Sequence, residues 1–127
     1  MQPINLIEVE TRWGFRSFEL YHADVTKLDF CIDLLAASAF AGSYTPTPGS
    51  IAGSLASSCD IHMQELQERP WLDFRSSLGC WISGELDHPQ FKRILGVEIT
   101  GRARSVGEAV ENVFAAISAA EAKGMKA

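Results

Sequence analysis

Alternating and periodic runs of apolar residues divide this chain into strand-like and helix-like stretches. Ile4 to Glu10 is rich in β-branched residues and puts Glu8 and Glu10 on one face, predicting a first strand near a sheet edge, broken at Trp13-Gly14. Arg16 to Ala23 alternates Phe18, Leu20 and His22 against Glu19 and Tyr21, predicting a second strand that Asp24-Val25-Thr26 ends. Asp33 to Ala39 is almost continuously apolar and small, as a strand covered on both faces must be. A loop stiffened by Pro46 and Pro48 runs from Ala41 to Gly49. Ser50 is placed to cap a helix whose apolar face is Ile51, Leu55 and Cys59, continuing through His62, Met63 and Leu66.

Beyond Arg69-Pro70, the residues Trp71 to Phe74 read as a turn of helix or a loop, and Leu78 to Gly84 as a short strand. Asp87-His88-Pro89 forms a turn, and Phe91 to Thr100 is the next strand. The last helix has the clearest signature. Ser105 and Glu108 match a capping box, and Val106, Val110, Val113, Phe114 and Ile117 make one stripe. Lys123 suits the negative end of that helix and Gly124 its left-handed stop. Strands alternating with helices, one strand among them apolar on both faces, predict a layered α/β architecture.

Composition narrows the function classes. A chain of 127 residues is expected to form one domain, and 46% apolar with 21% charged residues is ordinary for a globular protein. The net charge of −5, with no basic run, argues against nucleic acid or a membrane surface as partner. Cys31, Cys59 and Cys80 are odd in number and lack CxxC spacing, predicting reduced thiols in a cytoplasmic setting. The N-terminus lacks the basic and apolar regions of a signal peptide, and no apolar run is long enough to span a membrane. The histidines form no metal-ligand spacing, so neither a metal nor a cofactor is expected.

The candidate chemistry gathers around residues 24 to 58. Gly49-Ser50-Ile51-Ala52-Gly53-Ser54-Leu55 sets small residues and free amides at a helix start, where the backbone N–H groups and the helix dipole favour an anion. Gly53 costs that helix about 1 kcal/mol relative to Ala, which points to close approach by a ligand or by a neighbouring element. The run lacks the Lys-Ser/Thr of a P-loop and the spacing of a dinucleotide fingerprint. Asp24 either accepts a hydrogen bond from an exocyclic amine or caps the turn that follows it. Tyr44 is the aromatic best placed to stack on a base or ribose. Ser38, Ser43 and Ser50 show no nucleophile elbow, and Cys59 and Ser50 are the candidate nucleophiles if the chain is an enzyme.

The order of these pieces resembles a macro domain, the ADP-ribose-binding α/β/α module. Ala23-Asp24-Val25-Thr26 stands where the family has Gly-Asp-Ile-Thr. Ile32 to Phe40 is similar to the family's Val-Asp-Ala-Ile-Val-Asn-Ala-Ala-Asn, and Gly49 to Leu55 to its Gly-Val-x-Gly-Ala-Ile. The resemblance implies a three-layer fold with a mixed sheet, Asp24 and Val25 at an adenine, and the Gly49 to Ser54 backbone around a phosphate. The candidate ligand-binding residues are thus Asp24, Val25, Ser38, Tyr44, Gly49, Ser50, Ile51, Ala52, Gly53 and Ser54. The two asparagines that hydrolytic members use correspond to Ala37 and Phe40, so binding without catalysis is implied. The family's second phosphate loop would follow the last helix, where this chain ends at Ala127. The implied partner is a nucleotide-type small molecule such as ADP-ribose or an NAD-derived signal. Divergent modules of this kind also occur as sensor parts of larger bacterial proteins. The alternative partners are a second copy or a further domain of the same protein. In that alternative the fold is kept for assembly without a ligand.

Overall fold

A computed structural model of the chain describes residues 5–11, 14–20, 31–40, 43–99 and 106–125. The chain is mixed α/β, with a two-stranded hairpin, a four-stranded mixed sheet and three helices among these residues. Strands β1 (Asn5–Thr11) and β2 (Gly14–Leu20) pair antiparallel from Asn5 opposite Leu20 to Thr11 opposite Gly14. The second strand therefore begins two residues earlier than its alternation predicts, at a Gly14 with φ of 101°. Glu8 and Glu10 are exposed, as an outward face requires.

The main sheet contains β3 (Leu35–Phe40), β4 (Leu72–Phe74), β5 (Cys80–Ile82) and β6 (Ile94–Ile99), in the order β3-β6-β5-β4. β3 runs parallel to β6, with Leu35 opposite Ile94 and Phe40 opposite Ile99. β6, β5 and β4 form an antiparallel meander. The stretch Trp71 to Phe74 is thus an edge strand and not a helical turn or loop. Trp71 N–H donates to Ile82 O at 2.9 Å, and the Leu78 and Gly79 amides close the hairpin on Phe74 O.

Helix α1 (Ile51–Cys59) follows β3, and α2 (Met63–Leu66) follows it after a break. Leu55, Cys59 and Met63 share one buried cluster, as the apolar spacing predicts, but the helix does not run through to Leu66. Asp60 adopts φ of 54°, its backbone turning left-handed while its amide closes on Leu55 O. Helix α3 (Val106–Ala122) ends at Gly124, whose φ of 106° supplies the expected left-handed stop. Ser105, half of the predicted capping box, lies outside the described residues.

Two clusters of buried residues hold the sheet. Along β5, Trp81 packs with α1 and α2 residues, whereas Cys80 and Ile82 pack with Ala116 and Ala120 of α3. Strand alternation puts these on opposite faces, so the sheet is covered on both sides at β5. The predicted stripe of the last helix packs on the cluster of Cys80 and Ile82 at Val113 and Ile117 but not at Val110. Val110 is 39% exposed, while Ala116 and Ala120 are fully buried, because two alanines let the helix axis come close to β5.

β3 also departs from expectation. Ala37 is 2% exposed against the α1 cluster, yet Ala36 and Ser38 are exposed. Among the described residues, the strand is covered on one face because it lies at the end of the sheet, whereas the α3 cluster centres on β5 and its neighbours. Small side chains made the segment look buried on both sides when, among the described residues, it is an edge. No helix of the described residues is long and apolar enough to cross a membrane.

Candidate functional site

β3 and β6 are parallel, so both end at the same side of the sheet, and the segment from Ser43 to Ser50 leaves β3 there to start α1. The carboxyl ends of parallel strands are where open α/β sheets most often receive ligands. Ser50 is the N-cap of α1: its Oγ accepts from Gly53 N–H at 3.0 Å and donates to Thr47 O at 2.6 Å. Thr47 O also accepts from Ser50 N–H at 3.1 Å. Ser54 N–H enters the regular helical ladder through Ser50 O. The amides of Ile51 and Ala52 have no acceptor among the described residues and remain at the helix start.

Gly53 is buried, and a Cβ built on it would collide with the carbonyl of Thr47. Of the two explanations for a glycine in the first turn, the neighbouring element is the one observed. Gly49, exposed with φ of 87°, turns the loop into the helix.

Tyr44 is not presented to a stacking ligand. It is 4% exposed, and its ring meets Trp81 edge-on with centroids 5.9 Å apart. Its hydroxyl donates to Glu98 Oε2 at 2.6 Å and accepts from Trp81 Nε1 at 2.9 Å. Burial, followed by the Glu98 hydrogen bond, holds the phenol far above its ordinary range, so it stays a donor. Ser38 alternates with Ala37 and projects from the sheet face opposite α1, away from the helix start. Asp24 and Val25 lie outside the described residues.

Behind Tyr44 is a polar network that sequence reasoning missed. Glu98 lies 3.9 Å from Arg75 Nη1. Arg75 in turn bonds Asp73 through Nε (3.0 Å) and Nη2 (2.8 Å), and Gln67 through Nη1 to its side chain (2.7 Å) and Nη2 to its carbonyl (2.9 Å). The guanidinium beside it holds the Asp73 carboxyl below the usual carboxylate range, and Asp73 raises Arg75 in return. All these donors are engaged within the protein, so Arg75 braces the network and does not offer a fork to a phosphate. The available signal was Glu98, the one acid in the apolar strand from Phe91 to Thr100.

The site has little nucleophilic chemistry. Ser50 gives its proton to a backbone carbonyl and not to a base. Cys59 is 8% exposed, and burial, with Asp73 adding to it, pushes the Cys80 thiol up to about 11. Among the described residues, no group of three His, Cys, Asp or Glu could hold a metal ion. His62 Nε2 lies 2.6 Å from Asp60 Oδ1, and His88 Nδ1 accepts from the Gln90 and Phe91 amides.

A cleft of about 70 Å³ beside the loop is lined by Tyr44, Pro46, Ala52 and residues of α2, and one of about 230 Å³ lies between His62 and His88. Both are below the roughly 300–1,000 Å³ of a pocket that encloses a small molecule. Among the described residues, neither cleft encloses the loop and helix start. No family model, curated protein or solved structure matches the chain.

Proposed function

We propose that the chain is a macro-like binding module that holds ADP-ribose or another NAD-derived nucleotide without transforming it. The observation that carries this reading is the pair of amides, Ile51 and Ala52, with no acceptor among the described residues, at the start of the helix that follows β3 in the chain. Two unbonded N–H groups and the positive end of the α1 dipole favour a phosphate over a neutral ligand. The finer fold, three layers with Asp24 at the adenine, belongs to the same proposal and rests on the motif order. Ala37, buried against α1, and Phe40 stand where hydrolytic members carry asparagines, and neither supplies a polar group for bond cleavage. A cytoplasmic setting accords with three cysteines that form no disulfide.

Calorimetry with ADP-ribose, AMP and inorganic pyrophosphate tests the reading. Binding of ADP-ribose at sub-millimolar concentration is expected, weakened by Asp24→Ala, with the ligand recovered intact afterwards. No heat at millimolar ligand overturns it.

The outer edge of β3 favours a second reading, an assembly module without a ligand. Leu35 N–H points to Arg93 O on the β6 side, so the backbone groups of Ala36, Ser38 and Phe40 point outward, with no partner strand among the described residues. The strand carries no charge or proline to discourage pairing. Light scattering separates the two: a monomer that binds nucleotide supports the first, an obligate oligomer indifferent to nucleotide the second.

A further inference from the structure

Residues 43–49 are exposed except for Tyr44. Their other hydrogen bonds stay local: Thr47 N–H and Oγ1 bond Thr45 O, and Thr47 O serves Ser50. Among the described residues, every hydrogen bond from this loop to the sheet passes through the Tyr44 hydroxyl. The receiving groups are themselves anchored. Trp81 is fully buried on β5, and Glu98 lies near an Arg75 that is fixed to Asp73 and Gln67. At the other end, the loop meets α1 through Thr47 O, which fills the space left by Gly53 and takes both donors of Ser50.

From this geometry we infer that Tyr44 is a positioning residue, a latch whose hydrogen bond to Glu98 fixes the loop and thereby the direction of the amides at the start of α1. The chemistry fits that role better than a packing role. A phenylalanine would fill the same space beside Trp81, whereas the hydroxyl supplies two directed bonds, one to a carboxylate, that hold the loop in one register. Because Glu98 belongs to β6 and neighbours the β4–β5 turn, the latch also ties the helix start to the far edge of the sheet through Arg75.

The inference about loop geometry stands alone; its consequence for affinity rests on the nucleotide-binding reading. The experiment has two arms, each on the full chain with Tyr44→Phe and Glu98→Gln. Hydrogen exchange is followed by mass spectrometry at the bonded amides within residues 50–54, those of Ser50, Gly53 and Ser54, and, as reference, across β5 and β6. Tyr44→Phe is expected to accelerate exchange at residues 50–54 by about tenfold or more, beyond any change in β5 and β6, and Glu98→Gln, which keeps an acceptor, by less. ADP-ribose titrations of the same proteins are expected to show Kd weakened in the same order.

Acceleration spread evenly over the sheet and the loop, or none at residues 50–54, would overturn the latch and leave Tyr44 a core residue. If Tyr44→Phe does not fold, the Glu98→Gln exchange pattern decides alone. If the wild type binds no ADP-ribose, the functional reading fails while the exchange arm still decides the latch.

Discussion

Replacing Gly53 with Ala sets two known effects against each other. In an exposed helix, Ala is favoured over Gly by about 1 kcal/mol, so helix propensity alone predicts stabilisation. The structure predicts the reverse. The new methyl would run into Thr47 O, a backbone atom that moves only with the loop. That oxygen accepts from Ser50 N–H at 3.1 Å and Ser50 Oγ at 2.6 Å. Bonds of this kind contribute about 0.5–1.5 kcal/mol each, and disturbing the cap itself costs about 1 kcal/mol. Set against the propensity gain, the net loss is roughly 1–3 kcal/mol, a fall in Tm of roughly 3–10 °C for a domain of this size. Ser57→Ala, at an exposed position of the same helix, is the control and is expected to be neutral or slightly stabilising. Thermal melts followed by circular dichroism read both. A Gly53→Ala protein that melts at or above the wild-type temperature would refute the close approach of loop and helix.

Gly96→Ala is expected to cost about 1–3 kcal/mol by overpacking, because the methyl would meet the Trp81 indole; a changed near-ultraviolet dichroism together with a lower urea midpoint would show it. Asp73 has a lower pKa in the folded chain than in the unfolded chain, so its contribution to stability is present above the ordinary carboxylate range and disappears as pH falls through the folded value. With the side chain 45% exposed, that contribution is screened to below about 1 kcal/mol. Asp73→Asn should thus narrow the difference between urea midpoints at neutral pH and at about pH 3. Of the three thiols, Cys31 is exposed and should react quickly with a disulfide reagent, while Cys59 and Cys80 should react only after denaturant is added.

Local signals were legible in the chain, and partnerships across it were not. The cap at Ser50, the stop at Gly124 and the strand around Ile94 to Ile99 depend on neighbours a few residues away, and each was found where its pattern pointed. Val110 belongs to a correct helical period, but which side of α3 faces the sheet depends on Ala116 and Ala120 meeting β5. Ala36 and Ser38 have the small side chains of a buried strand, yet burial depends on what lies above them, and strand order decided that. Tyr44 follows the same logic. An aromatic in a proline-bearing loop reads as a ligand platform until Glu98 and Trp81, far along the chain, are brought to its hydroxyl.

The parallel pairing of β3 with β6 has a consequence for how the molecule assembles in time. β4, β5 and β6 are neighbours along the chain and can zip as a meander, whereas β3 must close across everything from α1 to β5 before Leu35 meets Ile94. Loop-closure entropy makes that long connection the slower step. Pulse-labelled exchange during refolding should therefore protect the amides of β5 and β6 before those of β3. The segment that launches the loop and α1 would join the sheet last, so the candidate binding surface comes into being only when the rest of the sheet already exists.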